Sequence, residues 1–265
     1  EISKIFLRCK KPSVVFDSFK ETNVLRVIFP ELTFCIGLDQ SAKTTHYLDL
    51  YQHTMFALDS VSATSDNSEL VRVAALLHDI AKPCTETYTD KGRHFYNHEV
   101  IGKTLSEQIL YRWGYSESFR KKVGLLVFHH LYNIKSTDSK TAIKKFIARV
   151  TPELIHSVLD LRIADINGVP QSKSLYQVNN LRRKINEELS TISPENTQLA
   201  ISDEELSEIL EKYTEANLVA ESVKKSKKYL IAKIFLGRVY NKKPNLKKLL
   251  KQVLEINCPL DKPHL

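Results

Sequence analysis

Seven of the nine histidines in this chain of 265 residues, His46, His53, His78, His94, His98, His129 and His130, fall between residues 46 and 130. Several of them end or interrupt apolar stripes. Leu70, Val73, Ala74, Leu77 and His78 follow the i, i+3, i+4, i+7, i+8 spacing of one helix face, after a polar start at Asp66 to Ser68 that reads as an N-cap. Leu154, Val158, Leu161 and Asp165 share a face in the same way, so a carboxylate also points inward. A polar group facing a core is costly without a partner. One metal cluster would satisfy these histidines and carboxylates together, and such ligands suit first-row cations, Mn, Fe, Co, Ni or Zn, rather than calcium. The fold must therefore bring segments distant in sequence to one point.

Helices are the means available. Seven glycines and nine prolines lie below the usual shares of about 7% and about 5%, which argues against sandwiches, barrels and glycine-rich phosphate loops. The chain is long enough to bury a substantial core without disulfides. Asn97 is expected to cap a helix through Ile101, Leu105 and Ile109, and Ser116 one through Phe119, Val123, Leu126, Val127 and His130. Thr151-Pro152 is expected to open the Asp165 helix, with proline at its first position. Thr85 to Phe95, centred on Asp90-Lys91-Gly92, is the one plausible hairpin or extended loop. Beyond Gly168, charged helices are expected near 172–190, 202–212, 216–239 and 245–254. The fold class is all-α, a helical bundle followed by a basic helical C-terminal domain.

Charge and cysteine usage bound the surroundings. The formal net charge is +8, yet eleven Lys or Arg stand against the single acid Glu221 between Glu221 and Lys251, leaving the rest close to balance. Lys224, Lys225, Lys227, Lys228, Lys242 and Lys243 are the expected phosphate-binding positions of this segment. Cys9, Cys35, Cys84 and Cys258 are scattered with no CxxC pair, so four free thiols in a reducing cytoplasm are expected. No apolar run approaches the length of a membrane span, and nothing at the start resembles a signal peptide.

Along the chain the ligand-type residues read His53, then His78-Asp79, then His98, then His129-His130, then Asp165. That order, with "AALLHDIAK" from Ala74 to Lys82, resembles the HD superfamily of metal-dependent phosphohydrolases, and its two-metal branch in particular. The resemblance implies two divalent transition-metal ions, Mn, Fe, Ni or Co, with Mg or Zn also admitted. It implies one ion on His53, His78, Asp79 and Asp165 and a second on Asp79, His98, His129 and His130, with Asp79 bridging. It also implies hydrolysis of a phosphoester by two-metal activation of water. Asp79 and Lys82 would be the catalytic pair, Lys82 neutralising substrate phosphate with Arg93, Arg149 and Arg162 in support.

A further likeness runs along nearly the whole chain. "KPSVVFDSFKETNVLRVIFPEL", "YLDLYQHTMFALD", "GRHFYNHEVIG" and "FIARVTPELIHSVLDLRIADING" resemble, in order, the part of CCA-adding tRNA nucleotidyltransferases and bacterial poly(A) polymerases that follows their catalytic head. "LAISDEELSEIL" and "IAKIFLGRVYNKKPNLKKLL" are similar to their C-terminal RNA-binding tail. These residues contain neither a paired Asp-x-Asp metal motif nor a glycine-serine nucleotide-binding start, so a chain without the head is expected to hydrolyse rather than add nucleotides. Two departures stand out: Asn97 replaces the glycine usual before the histidine, and Ser202-Asp203 and Ala216-Asn217 stand where the tail usually has glycines. The likeness implies a neck-like segment at 1–40, an HD domain at 41–170 and a basic tail at 171–265. The expected partner is a nucleotide or an RNA 3′ end, such as a 2′,3′-cyclic phosphate, or tRNA, and no membrane. Two alternatives remain open, an RNA-binding module with a structural metal site and the body fragment of a nucleotidyltransferase. If the tail binds RNA, charge reversal at Lys224, Lys225, Lys227 and Lys228 will weaken binding of a tRNA-like hairpin. It will also flatten a salt dependence of roughly −0.7 per neutralised phosphate, both read by fluorescence anisotropy across a salt series.

Overall fold

A computed structural model describes residues 2–40, 48–62, 67–90, 92–168, 175–190, 201–211, 222–223, 230 and 243–257. Four short helices come first, α1 (Ile2–Arg8), α2 (Ser13–Glu21), α3 (Leu25–Ile28) and α4 (Pro30–Thr33). Then follow α5 (Leu50–Ser60), α6 (Ser68–Leu77) and α7 (Lys82–Thr85), the hairpin strands β1 (Glu86–Thr89) and β2 (Gly92–Phe95), α8 (His98–Arg112), α9 (Glu117–His129), α10 (Lys140–Val150), α11 (Ile155–Asn167) and α12 (Tyr176–Ser190). The last described helices are α13 (Asp203–Leu210) and α14 (Lys243–Asn257). The protein is mostly helical, and no described helix is long and apolar enough to cross a membrane.

The chain divides into two compact units, residues 1–137 with 150–183, and 138–149 with 184–265. In the first, α5, α6, α9 and α11 pack around a core of Leu50, Leu58, Val73, Leu77, Leu126, Val127, Val158 and Leu161, all buried. Helix α8 lies along α9, where a side chain at Gly102 would press within 3.2 Å of Val127 Cγ1. The second unit has its own apolar cluster, Ile201, Leu206, Leu210, Val223, Leu230, Leu246 and Leu250. A capping box between Ser202 and Glu205 opens α13, and Glu205 also receives Lys247 Nζ at 3.0 Å.

Several expected signals act differently in the structure. Asn67 and Asn97 precede α6 and α8 as expected, but neither caps its helix through a side chain; both are left-handed, at φ 63° and 60°. That conformation suits Gly and Asn above other residues, which accounts for asparagine replacing glycine at position 97. Ser116 does cap α9, its hydroxyl accepting from the Phe119 N–H. Thr151 and Pro152 do not open α11: Thr151 is left-handed at φ 84°, and α11 begins at Ile155 after an intervening turn. The hairpin forms with Glu86 opposite Phe95 and Thr89 opposite Gly92. Cys9, Cys35 and Cys84 are free thiols, while Cys258 and most of the helix expected at 216–239 lie outside the described residues.

Arg72 is the largest fully buried side chain of the first unit. Its guanidinium donates to the carbonyls of Val61, Phe6 and Cys9, at 3.1, 2.7 and 2.9 Å, and so ties α1 to the helix that ends at the His-Asp pair. Arg72→Met keeps the bulk and strips three buried acceptors of their donor. It is expected to cost about 3 kcal/mol, read as a lowered urea midpoint with the slope unchanged.

Candidate metal centre

Each ligand-type side chain is delivered by a helix end or turn that the local sequence builds. Asp49 and Gln52 form a capping box that starts α5, and His53 follows in its first turn. His78 and Asp79 come where α6 ends, His98 opens α8, His130 closes α9, and Asp165 lies in the last turn of α11. All these side chains are buried or nearly so.

The orientation of the histidines is set by backbone. Nδ1 of His53 faces the Gly168 carbonyl at 3.1 Å, that of His78 the Ala75 carbonyl at 2.7 Å, and those of His98 and His130 the Phe95 and Val127 carbonyls at 2.6 Å each. A carbonyl only accepts, so each Nδ1 carries a proton and each neutral ring presents an Nε2 lone pair inward.

Those lone pairs converge on one carboxylate. Asp79 Oδ2 lies 3.2 Å from His78 Nε2 and 3.7 Å from His53 Nε2, while Oδ1 lies 3.2 Å from His98 Nε2 and 3.5 Å from His130 Nε2. Asp165 Oδ1 joins the first pair, 3.3 Å from His53 Nε2 and 3.7 Å from His78 Nε2. Within each pair the Nε2 atoms are 3.2 Å (His53, His78) and 3.3 Å (His98, His130) apart.

Neutral imidazoles in this arrangement would oppose lone pair to lone pair, so positive charge is needed at both points. Burial works against a charged His78, but the Asp79 and Asp165 carboxylates outweigh it and push the imidazole up to about 10. Burial also opposes ionisation of Asp79 and Asp165, yet the surrounding donors hold both well below the usual carboxylate range. His130 is held down by burial, and Asp79 Oδ1 beside it is buried without a hydrogen-bond partner. A cation with nitrogen and carboxylate ligands fits both points. The residues that would hold it are His53, His78, Asp79 and Asp165 on one side and Asp79, His98 and His130 on the other.

The remaining expected site residues have other places. His129 is buried on α9 with its ring edge-on to Phe128, centroids 4.8 Å apart, and stands outside both converging groups. Successive residues on a helix point about 100° apart, so His129 and His130 diverge. Lys82 Nζ donates to Asp79 Oδ2 at 2.6 Å and to Gln40 Oε1 at 2.8 Å. Arg162 Nη1 donates to Asp165 Oδ2 at 2.8 Å. Arg93 is spent on the hairpin and its surroundings, bonding the Asp39 carbonyl, the Tyr88 hydroxyl and Glu86. Arg149 ends α10 in the second unit, exposed. Lys224, Lys225, Lys227, Lys228 and Lys242 lie outside the described residues, and Lys243 begins α14.

Gly168 is a site residue that side-chain chemistry does not announce. A Cβ there would lie 2.8 Å from two ring atoms of His53 and 3.0 Å from its carbonyl, so only glycine lets the α11 terminus reach that imidazole. The available signal is a glycine directly after an apolar helix in a glycine-poor chain. The other three carbonyl partners are backbone atoms and leave no trace in residue type.

Comparison with known proteins agrees with this geometry. Residues 42–166 match the HD domain, so the chain carries one. The chain is 27% identical over 210 residues to the multifunctional CCA protein of Pasteurella multocida (strain Pm70), covering 73% of this chain and 49% of that protein. It is 32% identical over 145 residues to the A-adding tRNA nucleotidyltransferase of Deinococcus radiodurans, covering 54% of this chain and 32% of the relative. It is 31% identical over 142 residues to the multifunctional CCA protein of Shewanella frigidimarina (strain NCIMB 400), 53% of this chain and 34% of that one. The chain is thus a distant homologue of CCA-adding enzymes over its HD region, and the matches span 32% to 49% of the length of these relatives.

Because Gly168 both faces and hydrogen-bonds His53, Gly168→Ala is expected to lower metal affinity by about 10- to 100-fold, the usual cost of disturbing a ligand's support. Competition of the variant with a chromogenic chelator measures it.

Proposed function

We propose that the chain is a metal-dependent phosphohydrolase of nucleotides or RNA 3′ ends, 2′,3′-cyclic phosphates among them. The observation that carries this reading is the division of one buried carboxylate, Asp79, between two histidine pairs whose rings are each fixed by a backbone carbonyl. The HD domain at residues 42–166 supports it. Two bound cations would supply an activated water and neutralise the non-bridging oxygens of the ester.

The chain's own residues orient and screen. His53, His78, His98, His130, Asp79 and Asp165 are the ligands best placed in this reading, and His129, expected beside them from the sequence, remains a proposed ligand on the same helix end. Lys82, held beside Asp79 by Gln40, places an ammonium where a phosphate oxygen of the substrate would arrive. Arg162 offers a fork at the Asp165 side. Arg93 and Arg149 have no comparable link to the ligands, and in this reading they serve substrate binding at most indirectly.

The names of the relatives, a CCA protein and a tRNA nucleotidyltransferase, favour an RNA or nucleotide substrate over other phosphoesters. The basic segment with Lys224, Lys225, Lys227, Lys228, Lys242 and Lys243 supports an RNA-binding role for a tail at 171–265, behind a neck-like 1–40 and an HD domain at 41–170. The cytoplasm is the proposed location.

Elemental analysis of protein grown with added Mn, Fe and Ni is expected to find about two ions per chain, one for each converging group. Asp79→Asn, which weakens a ligand shared by both, is expected to bring the content below one. It should slow hydrolysis of a 2′,3′-cyclic nucleotide by about 100-fold or more. Hydrolysis at the original rate by a metal-poor Asp79→Asn protein would overturn the assignment.

A further inference from the structure

The hairpin between α7 and α8 has two unlike faces. In its register Glu86 stands opposite Phe95 and Tyr88 opposite Arg93, so these four side chains share one face, while Thr87 and His94 share the other. The Tyr88 hydroxyl donates to Glu86 Oε1 at 2.8 Å and accepts from Arg93 Nη2 at 2.9 Å. The same Glu86 oxygen receives Arg93 Nε at 2.9 Å. The Arg93 guanidinium also lies 5.4 Å from the centre of the Tyr88 ring and donates to the Asp39 carbonyl. The polar end of Tyr88 is thus engaged within the hairpin, while the residue as a whole stays 69% exposed.

This face leads to the metal centre. The Phe95 ring centroid lies 5.7 Å from Lys82 Nζ, and that ammonium is bonded to Asp79 Oδ2. Lys82 Nζ also holds Gln40, the neighbour of the Asp39 that receives Arg93, so two cations beside this face are anchored on consecutive residues. Phe95 and Tyr88 are diagonal neighbours across the two strands, which places their Cα atoms about 7–8 Å apart. An aromatic face therefore runs from beside Asp79 outwards to Tyr88.

A ring that is exposed yet already held in place offers contact area at small cost in conformational entropy. What it recognises is a flat π-system: every base has a face that stacks on an aromatic side chain, and a guanidinium beside the stack adds a cation–π contribution. Because the Tyr88 hydroxyl has its partners in the hairpin, the ring would read the flatness of a base and not its hydrogen-bonding edge.

We propose that the Tyr88 and Phe95 face of the hairpin is a base-stacking platform for the substrate, on which Tyr88 holds a nucleobase and Arg93 and Glu86 fix the ring. The phosphate at the His/Asp cluster and the base on Tyr88 would belong to one nucleotide or to the end of one RNA strand. The inference rests on the phosphohydrolase reading and adds the feature by which that site tells nucleotides from phosphoesters that carry no base.

The test uses the full chain loaded with manganese. Stopped-flow mixing with 2-aminopurine riboside 2′,3′-cyclic phosphate, whose emission falls when the base stacks, reads binding before turnover. Quenching is expected in the wild type; Tyr88→Ala should abolish it and weaken binding by about fivefold or more, while Tyr88→Trp should keep both. Tyr96→Ala removes another exposed ring, the one stacked on His94 of the opposite face, and is expected to keep the quench. A second measurement compares adenosine 2′,3′-cyclic phosphate with glycerol 1,2-cyclic phosphate, which has no base. The KM of the nucleotide should be lower by about fivefold or more in the wild type, and Tyr88→Ala and Arg93→Ala should narrow that gap through KM and not through kcat. No quench in the wild type, a quench and a KM gap unchanged in Tyr88→Ala, or an equal loss in Tyr96→Ala overturns the platform. Turnover of both esters with equal KM leaves the phosphohydrolase reading standing without it; a quench that depends on Tyr88 with turnover of neither ester upholds the platform and removes that reading.

Discussion

The first unit is organised around a single buried carboxylate. Asp79 sits among four imidazole nitrogens and one ammonium, with one oxygen committed to each histidine pair. A buried carboxylate without compensation would cost several kcal/mol, so the helices that deliver its partners have little freedom to shift independently. Helices α5, α6, α8, α9 and α11 each contribute from an end or a flanking turn, which is where a side chain can reach the meeting point of several helices. The aliphatic residues between these ends, such as Val73, Leu77, Val127 and Leu161, then pack the bundle beneath the cluster.

Rigidity of the cluster comes from the main chain. Four carbonyls, those of Ala75, Phe95, Val127 and Gly168, choose the same tautomer for four histidines. Three of the four contacts are local, made by a carbonyl three residues earlier, so the helix or turn that places the histidine also turns its ring. The fourth, from Gly168 to His53, spans 115 residues and couples the end of α11 to the start of α5. Left-handed Asn97 serves the same end: it lets the chain leave the hairpin and enter α8 at His98, while the Phe95 carbonyl remains in reach of that ring.

Polarity is distributed unevenly about this centre. Lys82 and Gln40 lie on the Asp79 Oδ2 side, Arg162 and Arg182 follow Asp165 and Asp160, and Oδ1 faces His98 and His130. Positive side chains therefore lie beside both the Asp79 and the Asp165 carboxylates.

The sequence alone determined that the protein is helical, where the hairpin falls and which residues are ligand-type, because these depend on local periodicity, on glycine and proline content and on an order of His and Asp along the chain. The identity of Asp79 as the shared residue also came from sequence, through the likeness carried by "AALLHDIAK". The sequence takes both adjacent His129 and His130 as ligand-type, whereas the converging group in the structure includes His130, because the direction of each ring depends on how the end of α9 meets its neighbours. Only the tertiary structure decided that Arg93 braces the hairpin while Arg162 sits on Asp165, because the partners of a long flexible side chain are set by what packs beside it. Thr151 and Pro152 mark the same limit: proline is compatible with a helix start and with a turn, and the left-handed Thr151 preceding it settled the matter. The role of Gly168 lay wholly beyond residue type, because it consists of a missing Cβ and a carbonyl brought against a ring 115 residues away.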